Sequence, residues 1–149
     1  NWHSMDNQTL TTKQLSILNS LYRFRFLTST HIQHLLNDKT LRLTNYHLKI
    51  LTAQNFINKH YTRSLGQANQ PAIYFLASGS IKALQDLQHL TAQSIKRIYR
   101  EKTRSQQFIT HAVFIAEYYL FLLRESQKTK HKGFTDLVLP KLSQSWTQQ

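Results

Sequence analysis

The chain has 149 residues, 40% of them hydrophobic, enough for one globular domain with its own core and too apolar for a disordered chain. It contains no Cys, which excludes disulfides and thiolate metal sites. Lys and Arg number 19 against 7 Asp and Glu, and the formal net charge of +12 points to a polyanionic partner, nucleic acid first and an anionic membrane surface second.

Residues 1–9 read as a polar tail without the basic-then-apolar order of a secretory leader. Thr11 and Thr12 offer a helix cap, and Leu15, Leu18, Leu21 and Tyr22 give the helical stripe that follows. At its end Arg23 and Arg25 alternate with Phe24, Phe26 and Leu27. That alternation predicts two exposed arginines at a hydrophobic corner, or two phosphate contacts. Thr28 or Ser29 caps a short second helix over residues 29–36, and its first-turn amides suit a backbone phosphate. Asn37-Asp38-Lys39 makes a tight turn, and Thr40 caps the next helix.

That next helix is the centre of the reading. In TLRLTNYHLKILTAQNFI, residues 40–57, the side chains of Leu41, Thr44, Leu48 and Leu51 share one stripe at helical spacing. Arg42, Tyr46 and Lys49 fall on the opposite side, with Asn45 at the edge of that face. Leu43 and Ile50 flank it, and they are expected against a wing or a partner chain. Asn55 stands where the helix stops, since Asn tolerates the left-handed conformation there. A short helix, a turn and a second helix showing cations and amides outward make a helix-turn-helix pattern. Residues 39–85 hold no Asp or Glu, yet carry Lys39, Arg42, Lys49, Lys59, Arg63 and Lys82.

A two-stranded wing is predicted next. Its strands are residues 56–61 and 72–76, joined by a polar loop with Gly66 and Pro71. Arg63, Gln67 and Asn69 at the tip are in position to reach a flanking groove. A helix over 81–90 completes the order of a winged helix. Residues 94–104 are basic, and Lys96, Arg97, Arg100 and Arg104 are a candidate secondary DNA surface beside the solvated-face reading.

Ser105 caps a long helix over 106–126. Phe108, Ala112, Ile115, Tyr119 and Leu122 form one apolar seam at 4-3-4-3 spacing; Ile109, Val113, Ala116, Leu120 and Leu123 form a second; Phe114, Tyr118 and Phe121 form a third. A helix apolar on so much of its circumference needs two packing partners. The first seam is assigned to a homodimer interface. Lys128, Lys130, His131 and Lys132 form a basic exit, and residues 134–139 a strand or docking segment.

The expected fold is therefore mainly α with a small β-hairpin, a winged helix-turn-helix followed by C-terminal helices. Residues 10–90 form the DNA-binding domain, 91–127 the basic and dimerisation helices, and 128–149 a tail. The 7 carboxylates show no catalytic spacing, so no enzyme is predicted. His31 and His34, three apart without a third ligand, predict no metal site. His111 and Glu117 predict a satisfied pair or an interface contact rather than a catalytic dyad. No cofactor is expected. The most apolar run, 108–123, is too short to span a bilayer and contains Thr110, His111 and Glu117, so a cytoplasmic location is expected.

Four segments carry a family likeness: LNSLYRFRFLTSTHIQHLL, HLKILTAQNFI, AIYFLASGSIKAL and FITHAVFIAEYYL. They resemble the replication-relaxation family of plasmid and mobile-element proteins, and more loosely winged-helix repressors of the multiple-antibiotic-resistance and phenolic-acid-regulator types. The likeness implies a winged-helix domain that binds double-stranded DNA in plasmid replication, relaxation or conjugative transfer. Asn55 stands where the family has Gly, and the acidic nuclease cluster of longer members has no counterpart here. Two other readings stay open: a transcriptional repressor, and a protein-interaction module among replication or transfer proteins. The cationic reading helix favours DNA over the interaction module.

Overall fold

The structure, a computed structural model, describes residues 9–61 and 71–129. Helix α1 spans Thr12–Phe24 and begins in a capping box. Thr11 Oγ1 accepts the Gln14 N–H at 3.1 Å, and Gln14 Oε1 accepts the Thr11 N–H at 3.0 Å. Its inward stripe is Gln14, Ile17, Leu18, Leu21 and Phe24, while Leu15 and Tyr22 are only half-buried. The sequence stripe was thus rotated slightly from the true one.

Strand β1 is Leu27–Thr28, helix α2 Ser29–Leu36 and helix α3 Leu41–Ala53. Both α2 and α3 stop on Asn rather than Gly. Asn37 and Asn55 take φ of 56° and 64°. After α3 the Phe56 N–H bonds to the Leu51 carbonyl at 3.0 Å and the Asn55 N–H to Thr52 at 3.2 Å, which closes the last turn. The Asn residues do what Gly commonly does, in a chain with only 3 Gly.

Strands β2 (Ile57–His60) and β3 (Ile73–Leu76) pair antiparallel, and β1 adds to the other edge of β3. The sheet therefore has three strands, in the order β1-β3-β2, where the sequence predicted a two-stranded hairpin. A strand of two residues carries no alternation for a sequence pattern to show. All of β3 is buried. Tyr74 and Leu76 face the main core with Leu18, Leu21, Leu48, Leu51 and Leu84. Ile73 and Phe75 face a second cluster with Phe26, Ile109 and Ala112.

Helix α4 is Ser80–Leu87, α5 is Ala92–Arg100, a 3-10 turn covers Glu101–Thr103, and α6 is Gln106–Thr129. The bounds of α4 and α5 differ by a few residues from the predicted ones, the usual slack of helix ends. Gly79 precedes α4 because a Cβ there would lie 2.3 Å from the Asn55 carbonyl oxygen. The end of α3 is thereby packed tightly on the start of α4. Helix, helix, helix, hairpin with a third edge strand, then helices, is a winged-helix arrangement.

Helix α6 corrects the predicted dimer seam. Ala112 is fully buried in the second cluster, with Phe108 and Ile115 packed on it. Tyr119 packs on the main core and meets Phe24 edge-on at 4.9 Å. Leu122 is half-buried. This seam faces the chain's own body, together with Ile109, Ala116 and Leu120. The third line, Phe114, Tyr118 and Phe121, points to solvent at 62%, 48% and 50% exposure. Residues 134–139, predicted as a strand or docking segment, lie outside the described residues, as does the basic exit beyond Lys128.

Candidate nucleic-acid interface

Helix α3 is held by its apolar side and presents its polar side. Leu48, Leu51 and Thr44 are fully buried. Thr40 caps the helix, its Oγ1 accepting the Leu43 N–H at 3.2 Å. Arg42, Asn45, Tyr46 and Lys49 are all exposed, Tyr46 at 60%. Leu41, assigned to the buried stripe, is 37% exposed. It lies in the first turn, where the helix has not yet reached the core. Leu43 is exposed and Ile50 half-buried, so both remain on the outward flank.

A polar latch that the sequence reading missed ties α3 to α1. Asp38, in the turn, is buried. Its Oδ1 pairs with Lys13 Nζ of α1, and its Oδ2 accepts the Thr44 hydroxyl at 2.7 Å. One carboxylate thereby joins α1, the turn and α3. Desolvation pushes the Asp38 carboxyl up, but hydrogen bonds from Lys13 and Thr44 and the charges of Lys13 and His47 outweigh it and hold it below the ordinary value. A carboxyl lowered by folding contributes stability that is complete above its unfolded value and is lost as pH falls through its folded value. Asp38→Asn is expected to cost about 1–2 kcal/mol near neutral pH, discounted because Lys13 is partly solvated. That difference should fade in denaturant titrations taken down the acid limb. A gap that stays constant with pH would mean the charge plays no part.

The front of α2 is built by Thr28 and His31. Thr28 Oγ1 accepts the His31 N–H at 3.3 Å, and the Thr28 N–H donates to His31 Nδ1 at 3.2 Å. This leaves His31 Nε2 facing Glu117 Oε1 of α6 at 3.4 Å. Burial lowers the His31 pKa and Glu117 opposes that shift. Glu117 therefore pairs with His31. Ser29 is half-buried as the first residue of α2.

The wing contributes Lys59, exposed on β2, while His60 Nε2 lies 3.0 Å from Gln106 Oε1 and ties the strand to the start of α6. Arg63, Gln67 and Asn69 lie outside the described residues.

The basic segment divides in two. Lys96, Arg100 and Lys102 are exposed. Arg97 is half-buried, donates to the Tyr22 carbonyl at 3.0 Å and stacks 4.6 Å from the Tyr22 ring. Burial and the nearby Arg25 lower its pKa. Arg104 is half-buried, pairs with Glu101 at 3.3 Å and stacks 4.8 Å from Phe108. Two of the four proposed secondary DNA contacts are thus engaged within the chain.

Arg25 is not an exposed arginine at a corner. It is 1% exposed. Its Nε and Nη2 donate to the two oxygens of Glu101 at 3.2 and 2.7 Å, and its guanidinium lies 4.6 Å from the Phe108 ring. Its backbone has φ 75° and ψ −50°, and the Phe26 N–H bonds back to the Phe24 carbonyl at 2.9 Å. That is a γ-turn of the rare positive-φ kind, held in place by the ion pair. Glu101, the lone carboxylate of the basic stretch, was a visible signal that one arginine would be claimed internally.

The charge separation on the surface follows from these pairings. Of the carboxylates among the described residues, Asp38 and Glu101 are buried against cations, Asp86 lies on α4, and Glu117 and Glu125 lie on α6. None lies on α3 or the wing strands. Among the described residues no group of three or more His, Asp and Glu side chains is arranged to hold a metal ion, and no helix is long and apolar enough to cross a membrane. A family profile described as replication-relaxation matches residues 18–146. No curated protein and no solved structure matches the chain.

Proposed function

The chain belongs to the replication-relaxation family, and we propose that it is a sequence-specific double-stranded DNA-binding protein of a plasmid or mobile element. It acts in replication, DNA relaxation or conjugative transfer, by binding rather than by catalysis. The observation that carries this reading is the outward face of α3: Arg42, Asn45, Tyr46 and Lys49 exposed together, on an element free of carboxylates.

Laid in the major groove, α3 aims these side chains at the duplex. Arg42, near the N-terminal end, offers a planar fork for the O6 and N7 of a guanine. Asn45 can read an adenine in the same bidentate way. Lys49, a point charge about two turns on from Arg42, suits a phosphate. The Asp38 latch ties α3 to α1, so base contacts rest on a supported element.

Arg42→Ala is expected to cost about 1–3 kcal/mol on the preferred site and to relax the preference at one base pair. Selection of bound sequences from a random pool, followed by competition titrations, measures both. An Arg42→Ala protein with unchanged affinity and unchanged preference would remove α3 as the reading helix. The exposed Lys96 and Arg100 of α5 would then lead.

A further inference from the structure

The outer face of α6 has a pattern that the inner seams conceal. Gln107, His111, Phe114, Tyr118, Phe121, Glu125 and Lys128 follow one another at 4-3-4-3-4-3 spacing. That is the seam of a helix packed lengthwise on another helix. The three aromatics in its middle are about half-exposed or more, and Phe114 and Tyr118 already stack, with ring centroids 6.5 Å apart. None of the three belongs to either core cluster.

The geometry points to a second copy of this chain as the occupant, with the two α6 helices antiparallel about a two-fold axis at Tyr118. The sequence of the seam is self-complementary in that arrangement and in no parallel one. His111 and Glu125 lie seven residues either side of Tyr118, so each imidazole meets the other chain's carboxylate. Phe114 and Phe121, four and three residues from Tyr118, come within one residue's rise of each other, as do Gln107 and Lys128. A parallel pair would set Glu125 on Glu125 and Lys128 on Lys128, which like charges oppose. An isologous two-fold interface needs this self-matching. Within its own helix Glu125 also pairs with Lys128 at 3.4 Å, a solvent-exposed contact. The inference stands apart from DNA binding, and its readout requires no DNA.

The chain has no Cys of its own, so single-cysteine variants give a clean test. The wild-type chain should sediment as a dimer at tens of micromolar. Tyr118→Glu, and independently Phe121→Glu, should halve the mass with circular dichroism unchanged, because both side chains lie outside the core. Mild oxidation of a mixture of His111→Cys and Glu125→Cys chains should join one of each, and His111→Cys alone should not self-link. In the antiparallel pair two copies of position 111 are about 21 Å apart along the axis, far beyond disulfide reach. A wild-type monomer at these concentrations overturns the proposal. So does His111→Cys that links to itself as readily as the mixture does.

Discussion

Glu101→Ala is expected to destabilise the fold by about 3–5 kcal/mol, a large share of the total stability of a domain this size. The substitution removes the carboxylate that takes both Arg25 bonds and leaves a guanidinium buried without a counter-charge. Arg104 loses its partner at the same time. Water does not readily replace what is lost, because Arg25 is 1% exposed with its guanidinium 4.6 Å from the Phe108 ring. The γ-turn at Arg25 adds to the cost, since the ion pair is what holds that backbone. Urea denaturation followed by circular dichroism measures the change. The double variant Arg25→Met, Glu101→Leu separates two causes. If the loss comes from the orphaned charge, the apolar pair should recover much of it, as isosteric apolar replacements of buried ion pairs do. A loss below about 1 kcal/mol in Glu101→Ala would mean that water reaches Arg25 and the pair is not a buried one.

That pair also shows where sequence reasoning ends. Arg25 and Glu101 are 76 residues apart, and Lys13 and Asp38 are 25 apart. No local period or cap connects them. By contrast, α3 was legible because its signals are local: Thr40 at the start, Thr44, Leu48 and Leu51 at helical spacing, and Asn55 at the stop. The outward position of Arg42, Tyr46 and Lys49 followed from the same period. The family likeness read in the four segments agrees with the matched residues 18–146. In α6 three apolar lines competed, and hydrophobicity alone could not rank them. The discriminating sign was size. Ala112 and Ala116 lie on the buried side, where small side chains let the helix approach the body closely, and the exposed line of Phe114, Tyr118 and Phe121 has no small residue. Arg25 was misplaced for a related reason. Charge in a sequence says nothing about whether a distant carboxylate will claim it.

Affinity for DNA is expected to fall about 250- to 1000-fold between 50 and 200 mM salt, a log–log slope of about −4 to −5 per protomer. The slope follows from the cations still available after folding. Lys13, Arg25, Arg97 and Arg104 are engaged inside the chain and release no counterions from a phosphate. Lys39, Arg42, Lys49 and Lys59 are exposed on the turn, α3 and β2. With the first-turn amides of α2 beside them, about four to six phosphates come within reach. Lys49→Ala should weaken all sequences alike and shallow the slope by about one. Arg97→Ala should leave the slope where it is, because its guanidinium is spent on Tyr22. Fluorescence-anisotropy titrations across the salt range measure all three proteins. The charged surface is misassigned if binding is flat with salt, or if Arg97→Ala shallows the slope and Lys49→Ala does not. In the second case the DNA would lie along α5 and the turn after it, where Lys96, Arg100 and Lys102 are exposed, and α3 would be turned to another partner.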